Sequence, residues 1–262
     1  MDVLNDKQYV ETYKKVKTIL ISQPKPERSP YYTLEEKFGL TIDWRPFIHV
    51  EPVSAKEYRK NRIYPNEFSA IIFTSKTAID HFFRLCEELR IKMSQDTKYF
   101  CLSEAVANYL QKFIVYRKRK VFSGHRTVQD LKPYLLKHKK EKFLLPCSNL
   151  GSQNLGVFLD ENKFDWAEVM MYKTVSSDLS DLKDIYYDVI VFFSPFDIQA
   201  LYDNFPDFEQ KETRLAVFGK KTLEALKERG LYCNIHAPSP ETPSMTMALE
   251  NYLMISNKDD LQ

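Results

Sequence analysis

The chain has 262 residues, 44% of them apolar and 28% charged, with a formal net charge of +2. That balance excludes a disordered or fibrous chain and an indiscriminate polyanion binder, and the length, about 1.7 times a ~150-residue domain, favours two domains. No run approaches the ~18 apolar residues of a membrane span, and the mixed-charge start is unlike a signal peptide, so a cytoplasmic protein without a membrane partner is expected.

Along the chain, Thr18-Ile19-Leu20-Ile21-Ser22-Gln23 is an apolar run too short for a helix and reads as a strand. A helix-length segment and then Asp43-Trp44 lead into a second apolar stretch ending near Val50. Ala70-Ile71-Ile72-Phe73 is the next strand, with Thr74-Ser75-Lys76 as a tight turn before a helix whose stripe is Ala78, Ile79, Phe82, Phe83 and Cys86. Tyr99 to Leu102 repeats that design, with Ser103-Glu104 as the turn and Val106, Leu110, Phe113 and Ile114 as the stripe. Lys112 to Lys142 is strongly basic but carries no interleaved aromatic stacking pattern, so it reads as a solvated surface, or as an attraction for an acidic small molecule, rather than as a nucleic-acid site. Within it, Thr127-Val128-Gln129-Asp130 resembles a capping box, and Pro133 is expected to kink or shorten the helix that follows.

Phe143 to Cys147 is a further strand, ending in Ser148-Asn149, and Asp165-Trp166 opens the stretch that reaches Tyr172. Val189 to Phe193 leads into Ser194, a natural N-cap, and Pro195, suited to the first helical position, with Ile198, Leu201, Tyr202 and Phe205 behind them. Leu215 to Phe218 runs into Gly219-Lys220-Lys221-Thr222 and the stripe Leu223 and Leu226. Thr242-Pro243 is expected to open the last helix, with Met245, Leu249, Tyr252 and Leu253 on its apolar face. Residues 1–15 and 256–262 read as loosely held ends.

Three of these units recur in order. The strand at Val189 follows that at Ala70 by 119 residues, Leu215 follows Tyr99 by 116, and Phe143 follows Thr18 by 125; the only two tryptophans fall in matching places. The pattern implies an internally duplicated α/β chain with parallel sheets covered by helices. A strand that turns straight into a helix leaves the first helical amides at the carboxyl edge of the sheet, where the dipole favours an anion by ~0.3 to 1 kcal/mol. Five such turns suit a ligand with several carboxylates or phosphates.

Other chemistry is excluded. The six glycines fit neither a dinucleotide nor a P-loop spacing, no serine lies in G-x-S-x-G, and the four cysteines and five histidines form no metal-ligand pattern. Cys86 and Cys101 lie inside apolar patterns and are expected as reduced core residues.

The chain resembles the uroporphyrinogen-III synthase family in Ile71-Ile72-Phe73-Thr74-Ser75, Leu145 to Leu150, Val169 to Val175, Phe192-Phe193-Ser194-Pro195, Ala216 to Thr222 and Ala237 to Thr242. The resemblance implies two α/β lobes, one discontinuous, joined by a two-stranded β linker: residues 1–50 with 177–262, residues 55–171, and linker strands near 47–54 and 171–176. It also implies a cofactor-free, metal-free cyclisation of hydroxymethylbilane, a linear tetrapyrrole with eight carboxylates, with inversion of the last ring through a spiro intermediate. A monomer is expected.

Tyr172 matches the family's proposed acid for the departing hydroxyl. Thr74, Ser75, Lys76, Ser103, Ser148, Asn149, Ser194, Pro195, Gly219, Lys220 and Thr222 are the expected substrate contacts. Two departures stand out: Leu102-Ser103-Glu104-Ala105 replaces a Gly-x-x-Thr turn, and Ser22-Gln23 replaces Thr-Arg. The second removes one expected cation, and the first keeps a second reading open, a catalytically inactive relative that binds a tetrapyrrole or another polyanion.

Overall fold

The computed structural model describes residues 11–258 apart from Arg126 and Ser152. Its first elements are β1 (Thr18–Ile21), α1 (Tyr31–Phe38), β2 (Thr41–Trp44), β3 (Ile48–Pro52), α2 (Ala55–Tyr58), β4 (Ala70–Phe73), α3 (Lys76–Glu88), β5 (Lys98–Cys101), α4 (Glu104–Leu110) and β6 (Val121–Ser123). There follow α5 (Val128–Lys137), β7 (Lys142–Ser148), α6 (Gln153–Glu161), β8 (Asp165–Ser176), β9 (Val189–Phe192), α7 (Pro195–Asn204), β10 (Arg214–Phe218), α8 (Lys220–Glu228), β11 (Ile235–Ala237) and α9 (Met245–Ser256).

The strands form two sheets, ordered β11-β10-β9-β1-β2 and β3-β8-β7-β4-β5-β6. Every pair in the first is parallel, as is every pair from β8 to β6 in the second. Contacts divide the chain into unit one, up to His49 and from Val175, and unit two, Val50–Thr174. The chain therefore passes between units twice, once within β3 and once within β8. Val53 N–H donates to Met171 O at 3.1 Å and Ser177 N–H to Phe47 O at 2.8 Å, the mark of an antiparallel pair.

Counted from β4 to β8, unit two has the spatial order 3-2-1-4-5. Unit one has the same order when its chain is read from β9 through β11 and then from β1 to β2. The repeats seen in the sequence thus become structural equivalents: β4 with β9, β5 with β10, β7 with β1 and β8 with β2. In both units the direction in which successive strands are added reverses between the first and fourth of these strands, and such switch points leave a crevice at the carboxyl edge.

Burial on both faces explains why the central strands are continuous apolar runs rather than alternating ones. Ile71 and Phe73 of β4 enter one core layer, Ala70 and Ile72 the other. Val189 and Val191 of β9 are likewise divided from Ile190 and Phe192. Cys86 and Cys101 are free and buried.

Four expectations need correction. The last helix begins at Met245 and is capped by Ser244, whose Oγ accepts from Met247 N–H at 3.2 Å. Thr242 is instead closed onto Ser239, accepting and donating within one turn. Helix α5 has its capping box but runs through Pro133 to Lys137 without stopping. The described parts of both termini are held: Glu11 accepts from Tyr252 Oη at 2.8 Å, and the buried Asn257 accepts from Val16 N–H at 2.9 Å and donates to Val16 O at 2.7 Å, as a strand neighbour would. Residues 1–10 and 259–262 lie outside the described residues. Finally, β6 and β11, only three residues each, were not legible in the apolar pattern.

Phe100 is fully buried, with ring centroids 4.9 Å from Phe122 and 5.3 Å from Phe143. Phe100→Ala is expected to lower the stability of unit two by about 3 to 5 kcal/mol in chemical denaturation. A loss under about 1 kcal/mol would contradict this packing.

Candidate active site

In unit two the switch point lies between β4 and β7, and Ser75 closes the turn after β4. Its Oγ accepts from Ala78 N–H at 3.0 Å as the N-cap of α3, and lies 3.4 Å from Tyr172 Oη. Thr74 is half-buried just before the cap. Lys76 is exposed, its ammonium 5.5 Å from the ring centre of Tyr109.

Tyr172 reaches this position through a backbone irregularity. Cys147 pairs with Met170, but Ser148 pairs with Tyr172, so β8 carries an extra residue there. Met171 and Tyr172 are consecutive and would point to opposite faces of a regular strand; both instead enter the same core layer. The phenol is 9% exposed. Burial raises its pKa above the usual tyrosine value, against a smaller downward pull from the Ser75 hydroxyl.

His81, on α3, lies flat against Tyr172 with ring centroids 5.0 Å apart and 19° between planes. Its Nδ1 is buried and has no hydrogen-bond partner among the described residues. Burial, reinforced by the Arg84 charge, lowers its basicity and favours the neutral ring. Sequence reading passed over His81 because it stands alone within an apolar helix face, where no spacing rule marks it.

The other turns of unit two are more committed to their own backbone. The Asn149 side chain donates to Thr174 O at 3.1 Å and accepts from Thr174 N–H at 2.8 Å, prolonging the contact with β8. Ser148 Oγ accepts from Leu150 N–H at 3.2 Å. Ser103 caps the short α4 at 3.4 Å from Val106 N, and with Glu104, Ala105, His125 and Asp130 it lines a depression of ≈ 420 Å³. Two carboxylates on that wall oppose an anionic ligand.

Unit one answers the same topology differently. Its switch point lies between β9 and β1, and Ser194 caps α7 with Pro195 at the first helical position, as the sequence indicated. The third helical residue is Asp197, 3% exposed, and its Oδ2 accepts from Ser22 Oγ at 2.9 Å, Phe193 N–H at 2.9 Å and Ser194 N–H at 3.0 Å. Asp197 N–H is itself bound to Ser194 Oγ at 3.3 Å, and Pro195 has no N–H to offer. A protein carboxylate thus holds the two amides that precede the helix and sets a negative charge beside Ser194 and Pro195. In unit two the third helical residue is Ala78, small and neutral.

Helix α8 provides the open turn of unit one. Gly219 is its N-cap at φ 90°, a conformation that favours glycine, and no side chain caps the helix. Thr222 is buried at the third helical position. The ammonium of Lys220 is 3.7 Å from Glu224, in an exposed pair worth at most a few tenths of a kcal/mol.

Comparison with known proteins agrees with this architecture. The family model described as uroporphyrinogen-III synthase HemD matches residues 30–247. A uroporphyrinogen-III synthase of Chlorobaculum parvum is 22% identical over 251 residues, covering 91% of this chain and all of the relative. The crystal structure of uroporphyrinogen-III synthetase from Helicobacter pylori 26695 superposes with a TM-score of 0.62 at 21% identity, covering 90% of this chain and 98% of that one. A mutant uroporphyrinogen III synthase from the extremely thermophilic bacterium Thermus thermophilus gives 0.59 at 16% identity, covering 91% and 99%.

Asp197→Ala is expected to destabilise the protein by about 2 to 4 kcal/mol in urea titration, because it strands one buried hydroxyl and two part-buried amides. A neutral result would mean that those donors find other partners.

Proposed function

The chain belongs to the uroporphyrinogen-III synthase family, the cyclising lyases of tetrapyrrole biosynthesis, and on that premise we propose how its residues serve the closure of hydroxymethylbilane with inversion of the last ring. Tyr172 is the acid. Its Oη gives a proton to the departing hydroxyl, which leaves as water and generates the cationic azafulvenium, the protonated form of the azafulvene. The substituted carbon of the last pyrrole then attacks, and the resulting spiro intermediate fragments and recloses. The phenolate left on Tyr172 sits 3.4 Å from Ser75 Oγ, whose hydroxyl can donate to it, beside the positive end of α3. Neutral His81 keeps the ring plane fixed and adds no competing charge.

The substrate's acetate and propionate groups are received at helix starts: at Thr74, Ser75 and Lys76, with Ser103, Ser148 and Asn149 as further contacts from unit two, and at Gly219, Lys220 and Thr222 from unit one. Ser194 and Pro195 shape their turn, and the Asp197 charge beside them opposes a substrate carboxylate. The observation that carries this reading is the Ser75 to Tyr172 contact at a switch point whose third helical residue is Ala78. The Ser103-Glu104 turn is what favours the second reading, an inactive relative that only binds a tetrapyrrole or another polyanion.

Hydroxymethylbilane generated in situ separates the two: a synthase yields the inverted isomer, a binder leaves only the uninverted one. Tyr172→Phe is expected to slow inverted-product formation at least tenfold with folding intact, and unchanged turnover removes Tyr172 from the role. Ala78→Asp transplants the unit-one arrangement. Because Ala78 is fully buried in the core, the added carboxylate is expected to cost about 1 to 3 kcal/mol of stability, and in the protein that remains folded to raise KM at least tenfold through repulsion of a substrate carboxylate.

The pH dependence follows from the direction of the Tyr172 shift. The protonated phenol is the active form and burial raises its pKa, so its contribution persists up to about pH 10 and is lost only above that. The inverted-product rate is therefore expected to show no alkaline limb below pH 9 that Tyr172→Phe abolishes; such a limb would assign the proton to a more acidic group.

A further inference from the structure

Within unit two a second concavity lies away from the carboxyl edge. It has a volume of ≈ 400 Å³ and sits at the amino ends of β5 and β6, between the loop around Met93 and the segment 113–120. Its wall is mainly aromatic and aliphatic: Phe83 and Phe113 are stacked at 4.8 Å with 8° between planes, next to Tyr99 and Ile91. Phe113 is 39% exposed, so part of this ring surface has no protein cover.

Two polar features break the apolar lining. Thr97 borders the concavity and is 2% exposed, and its Oγ1 is buried without a hydrogen-bond partner among the described residues. A buried hydroxyl left unpaired costs about 1 to 3 kcal/mol, so a partner from outside would be rewarded. The cations Lys92, Arg117 and Lys120 also border the concavity. The Lys120 ammonium is already held by Gln95 O at 2.6 Å and the Asp96 carboxylate at 2.5 Å, which leaves Lys92 and Arg117 as the charge for a ligand to meet.

We propose that this concavity binds a small aromatic monoacid of two or three rings, its rings packed on Phe113 and Phe83, its acid at Arg117, and a hydrogen-bonding group within reach of Thr97. The volume holds such a molecule and is far too small for an eight-carboxylate tetrapyrrole. Flat rings match the stacked phenylalanines, which pair best with aromatic surface. One acid is specified because the interior has no further cation and the remaining charge lies at Lys92 and Arg117. The site is independent of the Ser75 and Tyr172 edge, since Thr97 and Lys120 precede β5 and β6 whereas Ser75 follows β4.

The test is fluorescence titration of the full chain with 8-anilinonaphthalene-1-sulfonate, followed by displacement with 2-naphthoate. Saturable binding to one site is expected, with competition by 2-naphthoate. Arg117→Ala and Thr97→Val are each expected to weaken both ligands at least fivefold, with the inverted-product rate unchanged. Arg117→Ala alters an outer side chain and keeps the test valid should Thr97→Val fold poorly. Absence of saturation overturns the proposal. So does saturable binding that neither substitution alters, which would place the dye on another apolar surface, such as the groove lined by Phe47, Phe205 and Phe208 in unit one.

Discussion

What governs this molecule chemically is a competition for the amides at the start of one helix. A parallel strand that turns into a helix presents several N–H groups and the positive end of a dipole at the sheet edge, and some anion will occupy them. The third residue of the helix decides whether that anion is internal. Asp197 supplies it in unit one and binds Ser22 into the same knot, joining β1, β9 and α7 across the switch point. Ala78 supplies none in unit two, where the cap is the Ser75 hydroxyl, accepting from Ala78 N–H. One carboxylate therefore turns the topology into a structural joint in unit one, and its absence distinguishes the same turn in unit two.

That edge of unit two is also where the backbone departs from regularity. Without the extra residue in β8 between the partners of Cys147 and Ser148, either Met171 or Tyr172 would leave the core face, and Tyr172 Oη would not meet Ser75. The surrounding core holds the irregularity in place: Met171 is fully buried, and Cys147, its thiol pushed up to about 12 by burial, donates to Val169 O at 3.5 Å. Packing thus aims the phenol and dries it, and the drying raises the pKa of a group that is already protonated at neutral pH.

The strands and most helix starts were legible in the sequence because they rest on local, repeated signals. Continuous apolar runs marked β4, β7, β9 and β10, and Ser75, Ser103 and Ser194 announced their caps. The short β6 and β11 were not legible, since each is fixed by pairing with a longer neighbour rather than by its own pattern. At the site, the individual Ser, Thr and Tyr residues were visible but their commitments were not. Asn149 looks like a ligand contact until Thr174, 25 residues on, is seen to occupy its amide. Asp197 looks like an ordinary capping-box acid until Ser22, 175 residues away, is found on it. His81 gains significance only from the ring it faces.

These misses share a cause. A duplicated chain repeats the features that each half needs in order to fold, so the repeat itself is loud in the sequence. Function enters where the halves differ, at Ala78 against Asp197 and in the bulge that has no recorded counterpart between β1 and β2, whose register runs without a break from Thr18 and Thr41 to Ile21 and Trp44. Such differences are single residues within otherwise matching elements. They become interpretable only after the two units are laid on one topology and the equivalent positions are read against each other.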